Sequence, residues 1–380
     1  MTAPRFGIYV HWPFCESKCP YCDFNSHVVE SIDDARWRAA LLAELAHFAS
    51  ETKGREVGSL FFGGGTPSLM EPGSVAALIA AVRQHWPVAD DLEITLEANP
   101  SSYETERFRS FFAAGVGRLS LGVQSFDEAR LRFLGRRHTS GQAVRALEEA
   151  GGIFPRLSFD LIYALPGETT DVWRRELDQA LAYAKGHVSL YQLTIEPGTA
   201  FAKARVEGAD EGNSIALFEL SQRMLTAAGM PAYEVSNHAR PGEECRHNLL
   251  YWTGGDYVGC GPGAHGRLSG PRGTIATRQI ARPDAWLAAV EERGHGTANG
   301  TALGPEERRD ELVIMGLRLA GGLDRTAFRA ASGLEIEEAL DRTRLERLAE
   351  QGFLVVDTRG LRATARGRRR LDAAIRTLLA

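Results

Sequence analysis

The stretch "PFCESKCPYCDF", Pro13 to Phe24, places Cys15, Cys19 and Cys22 within eight residues of a 380-residue chain that has five cysteines in all. Thiols clustered this closely either pair as disulfides or hold metal. The spacing Cys-x3-Cys-x2-Cys is neither the two-plus-two pattern of a structural zinc site nor the four-cysteine run of a ferredoxin. A [4Fe-4S] cluster usually takes four thiolates, one per iron. Three would leave one iron open for a substrate or cofactor, much as a catalytic zinc keeps a free position. The competing readings are three unrelated buried cysteines, or a zinc site completed by His11 or His27.

The rest of the composition narrows the setting. The chain is 44% apolar and 24% charged, with a net charge of −5 from 44 basic and 49 acidic residues. No long basic run is present, which argues against nucleic acid as the main partner. No apolar run approaches the roughly 18 residues of a membrane span, so only peripheral membrane contact stays open. The segment "MTAPRFGIYVHWPFC" has no signal-peptide pattern. The expected location is a reducing cytoplasm, where clustered cysteines serve as metal ligands or redox groups more often than as structural disulfides. The odd cysteine count points the same way.

Elements must hold the cysteines in place. "RFGIYVH" reads as a strand that ends just before them, and "DDARWRAALLAELAHFA" as the helix after them, with Asp33 or Asp34 as N-cap. The alternation repeats through "VGSLFFGGG" and "PGSVAALIAAVRQHW", then "LEITLEANP" and "ETERFRSFFAAG". It continues with "VGRLSLGVQS" and helical segments to about Gly151, "RLSFDLIYALPG" and "DVWRRELDQALAYA", "HVSLYQLTIEPG" and "NSIALFELSQRMLTAAG". Such alternation predicts a parallel sheet covered by helices, as an open doubly wound sheet or a partial barrel.

In such folds the site lies at the carboxyl ends of the strands. Here those ends carry the three cysteines, then Gly63, Gly64, Gly65 and Thr66, then Glu97 and Asn99, Gln124, Asp160 and Pro166, and finally Gln192 and Glu196. Any one of them alone reads as a turn or a cap; together they predict one polar mouth. "GGGTP" would let a ligand lie against bare backbone with amide donors free. It lacks the Lys-Ser/Thr pair of a P-loop.

The cysteine loop, "GGGTP", "EANP", "GVQSF" and "DLIYALPGET" together resemble the radical S-adenosylmethionine (SAM) superfamily, and within it the coproporphyrinogen III oxidase-like branch. The motifs follow the family's order and spacing over nearly the whole chain. "HNLLYW", His247 to Trp252, is similar to the His-Asn-x-x-Tyr-Trp signature of HemW-type haem chaperones. The resemblance implies that Cys15, Cys19 and Cys22 hold three irons of a [4Fe-4S] cluster while SAM chelates the fourth. It implies that an electron from the cluster breaks the S–C5′ bond of SAM, the cofactor carrying the chemistry and the protein positioning it. It places Tyr9 and Tyr21 beside the cluster and adenine, and Gly64, Gly65 and Thr66 at the methionyl amine. Glu97, Gln124, Arg136 and Asp160 would bind ribose and carboxylate, Arg136 by a two-pronged charge-assisted contact. The bland reading of Arg136 is a solvated arginine, since "GRRH" sets two side by side.

The departures favour the chaperone side of the branch. The porphyrinogen decarboxylases carry a fourth cysteine two places after the third; here that position is Phe24, and only eight residues precede Tyr9. Beyond residue 235 a Gly-rich stretch holds Cys245, His247, Cys260 and His265, the candidate haem ligands outside the cluster loop, since haem iron takes His or Cys. His247 is the first choice and Cys245 the second, with Asn248, Tyr251 and Trp252 shaping the pocket. On the residues alone, these side chains could equally tie a loop and pack a core. From about residue 303, helical patterns and a hairpin around Arg359-Gly360 suggest a winged-helix-like module; its basic "RGRRR" reads as a solvated helix end.

The expected fold is α/β: a partial (β/α)6 radical-SAM barrel with a C-terminal, mostly helical, winged-helix-like domain. The expected division is residues 1–235 for the core, 236–302 for a Gly-rich connecting segment, and 303–380 for the last domain. The expected function is a haem chaperone with a radical-SAM core, serving an acceptor protein and drawing on an electron donor if the cluster is reduced. The alternatives are a radical-SAM oxidoreductase acting on a tetrapyrrole, including an oxygen-independent coproporphyrinogen III oxidase, and a DNA-binding iron–sulfur protein resting on the C-terminal module alone.

Overall fold

The computed structural model describes residues 6–271 and 273–380, apart from the side chains of Ser102 and Tyr103. Arg5, which opens the strand-like run, and Arg272 of the Gly-rich stretch lie outside the described residues. Six parallel strands follow one another in space as in sequence: β1 Phe6–Trp12, β2 Val57–Gly64, β3 Val88–Ala98, β4 Arg118–Gln124, β5 Arg156–Tyr163 and β6 His187–Gln192. Their near-continuous Val, Ile, Leu and Phe content fits a sheet buried on both faces. Helices Asp34–Glu51, Pro72–His85, Ser140–Ile153 and Thr170–Tyr183 cover the strands, and Glu211–Ala227 follows β6. Side-chain oxygens start several of them: Asp33 accepts from the Arg36 amide, and Thr139 with Gln142 forms a capping box. The "ETERFRSFFAAG" helix is broken into two short pieces, Ser102–Thr105 and Phe108–Ala113.

The sheet does not close. β1 pairs on its other side with β8 (Asp256–Cys260), reached after the edge strand β7 (Asn237–Ala239), and the sheet continues through β9 (His265–Gly270), β10 (Gly273–Gln279) and β11 (Thr297–Ala302). The stretch read as a Gly-rich connector therefore contributes five strands, β7 to β11, to the sheet. Several of its glycines are there for closeness rather than slack: a Cβ at Gly259 would stand 2.0 Å from the His265 carbonyl oxygen. Such crowding looks like loop composition when read from sequence alone.

Glu44 pins this extension to the core. Its carboxylate, on the helix Asp34–Glu51, accepts from the Gly261 and Gly296 amides at 2.7 Å and from Trp286 Nε1 at 3.1 Å. Trp286 stacks on Trp37 with ring centroids 5.4 Å apart, in one apolar core with Trp12 and Phe14. A separate apolar cluster from Leu312 to Leu378 forms the last domain. It packs helices on a three-stranded antiparallel sheet whose hairpin turns through Arg359-Gly360, in the winged-helix-like manner expected.

Candidate functional site

The loop after β1 closes on itself. The Cys15 amide donates to the His27 carbonyl at 3.0 Å, and the His27 amide to that of Pro13 at 2.7 Å. Its three thiols carry no disulfide and line one cavity at the carboxyl ends of the strands, together with Gly64, Gly65, Thr66, Glu97, Gln124, Arg136 and Asp160. Burial raises the Cys15 thiol above its ordinary range, and the hydrogen bond from Thr66 opposes that rise. Among the described residues no three His, Cys, Asp or Glu side chains gather round a single-ion position. His11 and His27, the residues that would complete a zinc site, are engaged elsewhere. His11 lies 3.0 Å from the Tyr9 hydroxyl and 2.9 Å from the Asn25 carbonyl, and His27 Nε2 lies 3.1 Å from Asn25 Oδ1.

Donors reach the sulfurs. Thr66 Oγ1 donates to Cys15 Sγ at 3.3 Å and Arg136 Nη1 to Cys19 Sγ at 3.4 Å. Asn99 joins the two donors: its Nδ2 gives to Thr66 Oγ1 at 3.1 Å and its Oδ1 accepts from Arg136 Nη2. Unpaired thiols on one wall, with cation and hydroxyl donors aimed at them, fit an iron–sulfur cluster with an anionic ligand beside it. Arg136 is thus half-buried at the cavity wall, whereas its neighbour Arg137 is exposed. Asn99, quoted in "EANP" but given no role, is the connector between the cysteine loop and the arginine; its place at a strand end was the only signal.

The glycine loop has a different cause from the one expected. Gly64 has φ +113°, and a Cβ there would meet the His11 ring at 2.6 Å; at Gly65 it would meet the Phe14 carbonyl oxygen at 2.6 Å. The loop is bare because it is pressed against the end of β1 and the cysteine loop: the Gly65 amide donates to the Trp12 carbonyl at 2.7 Å and the Thr66 amide to that of Phe14 at 2.8 Å. The Gly64 amide donates to Glu97 Oε2 at 3.2 Å. Burial, with Asp160 adding to it, pushes the Glu97 carboxyl up to about 8, so at neutral pH it is chiefly a protonated donor. Burial pushes Asp160 up to about 6, tempered by a Ser189 hydrogen bond. Gln124 ends β4 with φ 66°, a left-handed turn rare outside glycine that lets it line the cavity. Tyr21 packs against Phe201 beside the cysteines, while Tyr9 points inward toward His11 and His247. Gln192 turns away and lines a cleft against the C-terminal domain.

The "HNLLYW" residues sit elsewhere. They form the helix Arg246–Trp252, which lies against the amino-terminal half of β1 and β2. His247 is buried, with Nδ1 2.9 Å from Ser59 Oγ and Nε2 2.8 Å from the Tyr251 hydroxyl. Both ring nitrogens of the first-choice haem ligand are thus held in hydrogen bonds inside the fold. The Cys245 thiol is buried as well, and burial pushes it up to about 12. Asn248 Nδ2 donates to the Tyr233 hydroxyl at 3.4 Å, and Trp252 lies under Arg318 of the last domain at 4.7 Å. These six residues are a wedge between barrel and C-terminal domain.

Comparison with known proteins agrees with this geometry. The radical SAM superfamily profile matches residues 9–180, and the HemN C-terminal domain profile matches residues 303–370. The chain is 40% identical over its whole length to a mouse protein named radical S-adenosyl methionine domain-containing protein 1, mitochondrial, and covers 88% of it. It is 37% identical to the Escherichia coli protein named heme chaperone HemW, with 99% of each chain covered. The solved structure of E. coli coproporphyrinogen III oxidase (HemN), a radical SAM enzyme, has the same fold, with a TM-score of 0.83 at 24% identity over 99% of this chain and 90% of that one. With three thiols gathered at the strand ends and these relatives along its full length, the chain belongs to the radical SAM superfamily, in the group that contains the HemW proteins.

Proposed function

We propose that this protein binds haem and passes it to an acceptor protein, using a radical-SAM core that carries a [4Fe-4S] cluster and SAM. The observation that carries the reading is the full-length likeness to proteins named heme chaperone HemW, at 37% identity in E. coli and 38% in Mycobacterium tuberculosis. Cys15, Cys19 and Cys22 would hold the cluster. SAM would occupy the adjoining cavity, its charged methionyl end near Arg136 and its ribose near Glu97, Gln124 and Asp160. A bound cluster supplies electrons that can cleave SAM. The chain's own part is to hold the sulfurs with Thr66 and Arg136 and to present Glu97 as a donor. Phe24 supports the chaperone reading over decarboxylation, because it offers no thiol beside the cluster loop and is 62% exposed. The working compartment would be the reducing cytoplasm, with a separate electron donor, no nucleic acid partner, and peripheral contact if it meets a membrane. Residues 1–235, 236–302 and 303–380 would be its three functional divisions.

A second reading has a specific observation behind it: Glu97, Gln124, Arg136 and Asp160 still gather at the thiol cavity, which favours retained radical chemistry on a tetrapyrrole. One sample separates the two. After anaerobic reconstitution with iron and sulfide, the protein is titrated with haem and assayed for coproporphyrinogen decarboxylation. A Soret band at stoichiometric haem with no decarboxylation is expected. SAM-dependent decarboxylation without haem binding would overturn the chaperone reading.

A further inference from the structure

A second cavity, of about 470 Å³, opens beside the thiol cavity and shares Phe24, Gly64 and Glu97 with it. That volume lies within the range of sites for sizeable organic ligands. Its outer wall is the β9–β10 ribbon, where His265 and Arg278 are cross-strand partners, and its other wall includes Phe24. Asn25 fixes the two walls together: its Nδ2 donates to the Pro262 and Ala281 carbonyls, both at 2.9 Å. The arm of the cysteine loop that carries Phe24 is therefore clamped to the ribbon that carries His265.

The histidines differ sharply in what they can offer a metal. His11, His187 and His247 have both ring nitrogens engaged. His138 and His238 are buried, each with Nε2 in a hydrogen bond. His265, by contrast, is exposed, lines a cavity and makes no side-chain hydrogen bond among the described residues. Burial of part of its ring, with Arg278 and Arg267 nearby, lowers its pKa and keeps the imidazole neutral, the form that binds iron. Arg278 makes no ion pair among the described residues, so its guanidinium is available to a carboxylate. An exposed phenylalanine, a free imidazole and a free arginine round one opening match an iron porphyrin: an apolar face, an axial ligand and a propionate partner.

We propose that this cavity is the haem site, with His265 as axial ligand, Arg278 on a propionate and Phe24 against the macrocycle. The proposal rests on the haem reading above and gives it a location beside the SAM cavity. The test is a haem titration of the full-length, anaerobically purified chain, followed by absorbance. His265→Ala should shift the Soret maximum and weaken binding by about tenfold or more, and added imidazole should restore the wild-type spectrum. Arg278→Gln should weaken binding with the Soret maximum unmoved. Iron bound at the cysteine loop should stay unchanged in both, which excludes general misfolding. Wild-type affinity and spectrum in His265→Ala would overturn this site while leaving the haem function standing. Failure of the wild-type chain to bind haem would instead overturn the function, and the site with it.

Discussion

Arg136 Nη1 stands 3.4 Å from Cys19 Sγ. The same guanidinium is held from behind by Asn99 and, at 2.8 Å, by the Gly122 carbonyl. The guanidinium thus sets a fixed positive charge beside the sulfur and at the cavity wall, where an anionic ligand can meet it. Asn99→Ala would remove the brace from both Arg136 and Thr66. SAM affinity should fall by about tenfold while iron and sulfide content hold, read by calorimetry and iron analysis. Undiminished SAM binding would mean that the brace is not needed.

Each of Cys15→Ala, Cys19→Ala and Cys22→Ala should abolish cluster reconstitution. Cys245→Ala and Cys260→Ala should not, since both thiols are buried far from solvent. Iron and sulfide assays check this. Loss of iron in either of the last two variants would contradict a three-cysteine site.

Gly65→Ala would drive a methyl to 2.6 Å from the Phe14 carbonyl oxygen. Backbone cannot step aside as a side chain can, so the cysteine loop must shift. We expect a stability loss of about 1–3 kcal/mol and poorer cluster loading, seen by thermal melting and iron content. A variant as stable and as well loaded as the wild type would show that the loops are not in contact.

Replacing His247 tests the wedge. His247→Ala strands the Ser59 hydroxyl and the Tyr251 phenol inside the barrel and should cost about 2–4 kcal/mol in denaturant unfolding. The Soret maximum of the haem-loaded protein should not move. A shifted Soret band with unchanged stability would return His247 to the role of ligand.

Glu44 should give stability a pH dependence. Burial pushes its carboxyl up to about 7 from an ordinary 4.5, against the pull of three N–H donors. A raised folded-state value means that the protonated form is favoured in the folded protein. The contribution is complete below pH 4.5 and is lost as pH rises through 7, by about 3 kcal/mol. Subtracting the unfolding free energy of Glu44→Gln across that range should isolate the trend. A difference that stays flat with pH would remove Glu44 as its source.

Much of the fold was legible because a parallel sheet writes a simple pattern, an apolar strand followed by a capped helix, six times over. The thiol site was legible for a related reason: such folds place chemistry at strand ends, and Cys15, Thr66, Glu97, Gln124 and Asp160 all stand there. Residues 236–302 were not, because glycines used to press strands together look like glycines that loosen a loop. The burial of His247 was not legible either, because its hydrogen-bond partner Ser59 stands 188 positions earlier in the chain. His265 and Arg278 meet only through the register of an antiparallel ribbon, which no local spacing announces.

The position of β1 in the sheet fixes an order of assembly. It is the first of the described strands, yet one of its neighbours is β8, and the loop it carries is clamped through Asn25 to carbonyls 237 and 256 residues further on. Contacts of such separation form late and slowly. The cysteine loop therefore waits, unfinished, until Pro262, Ala281 and the ribbon between them have been synthesised and docked. A chain truncated before Pro262 would keep its three thiols and lose both carbonyls that hold Asn25.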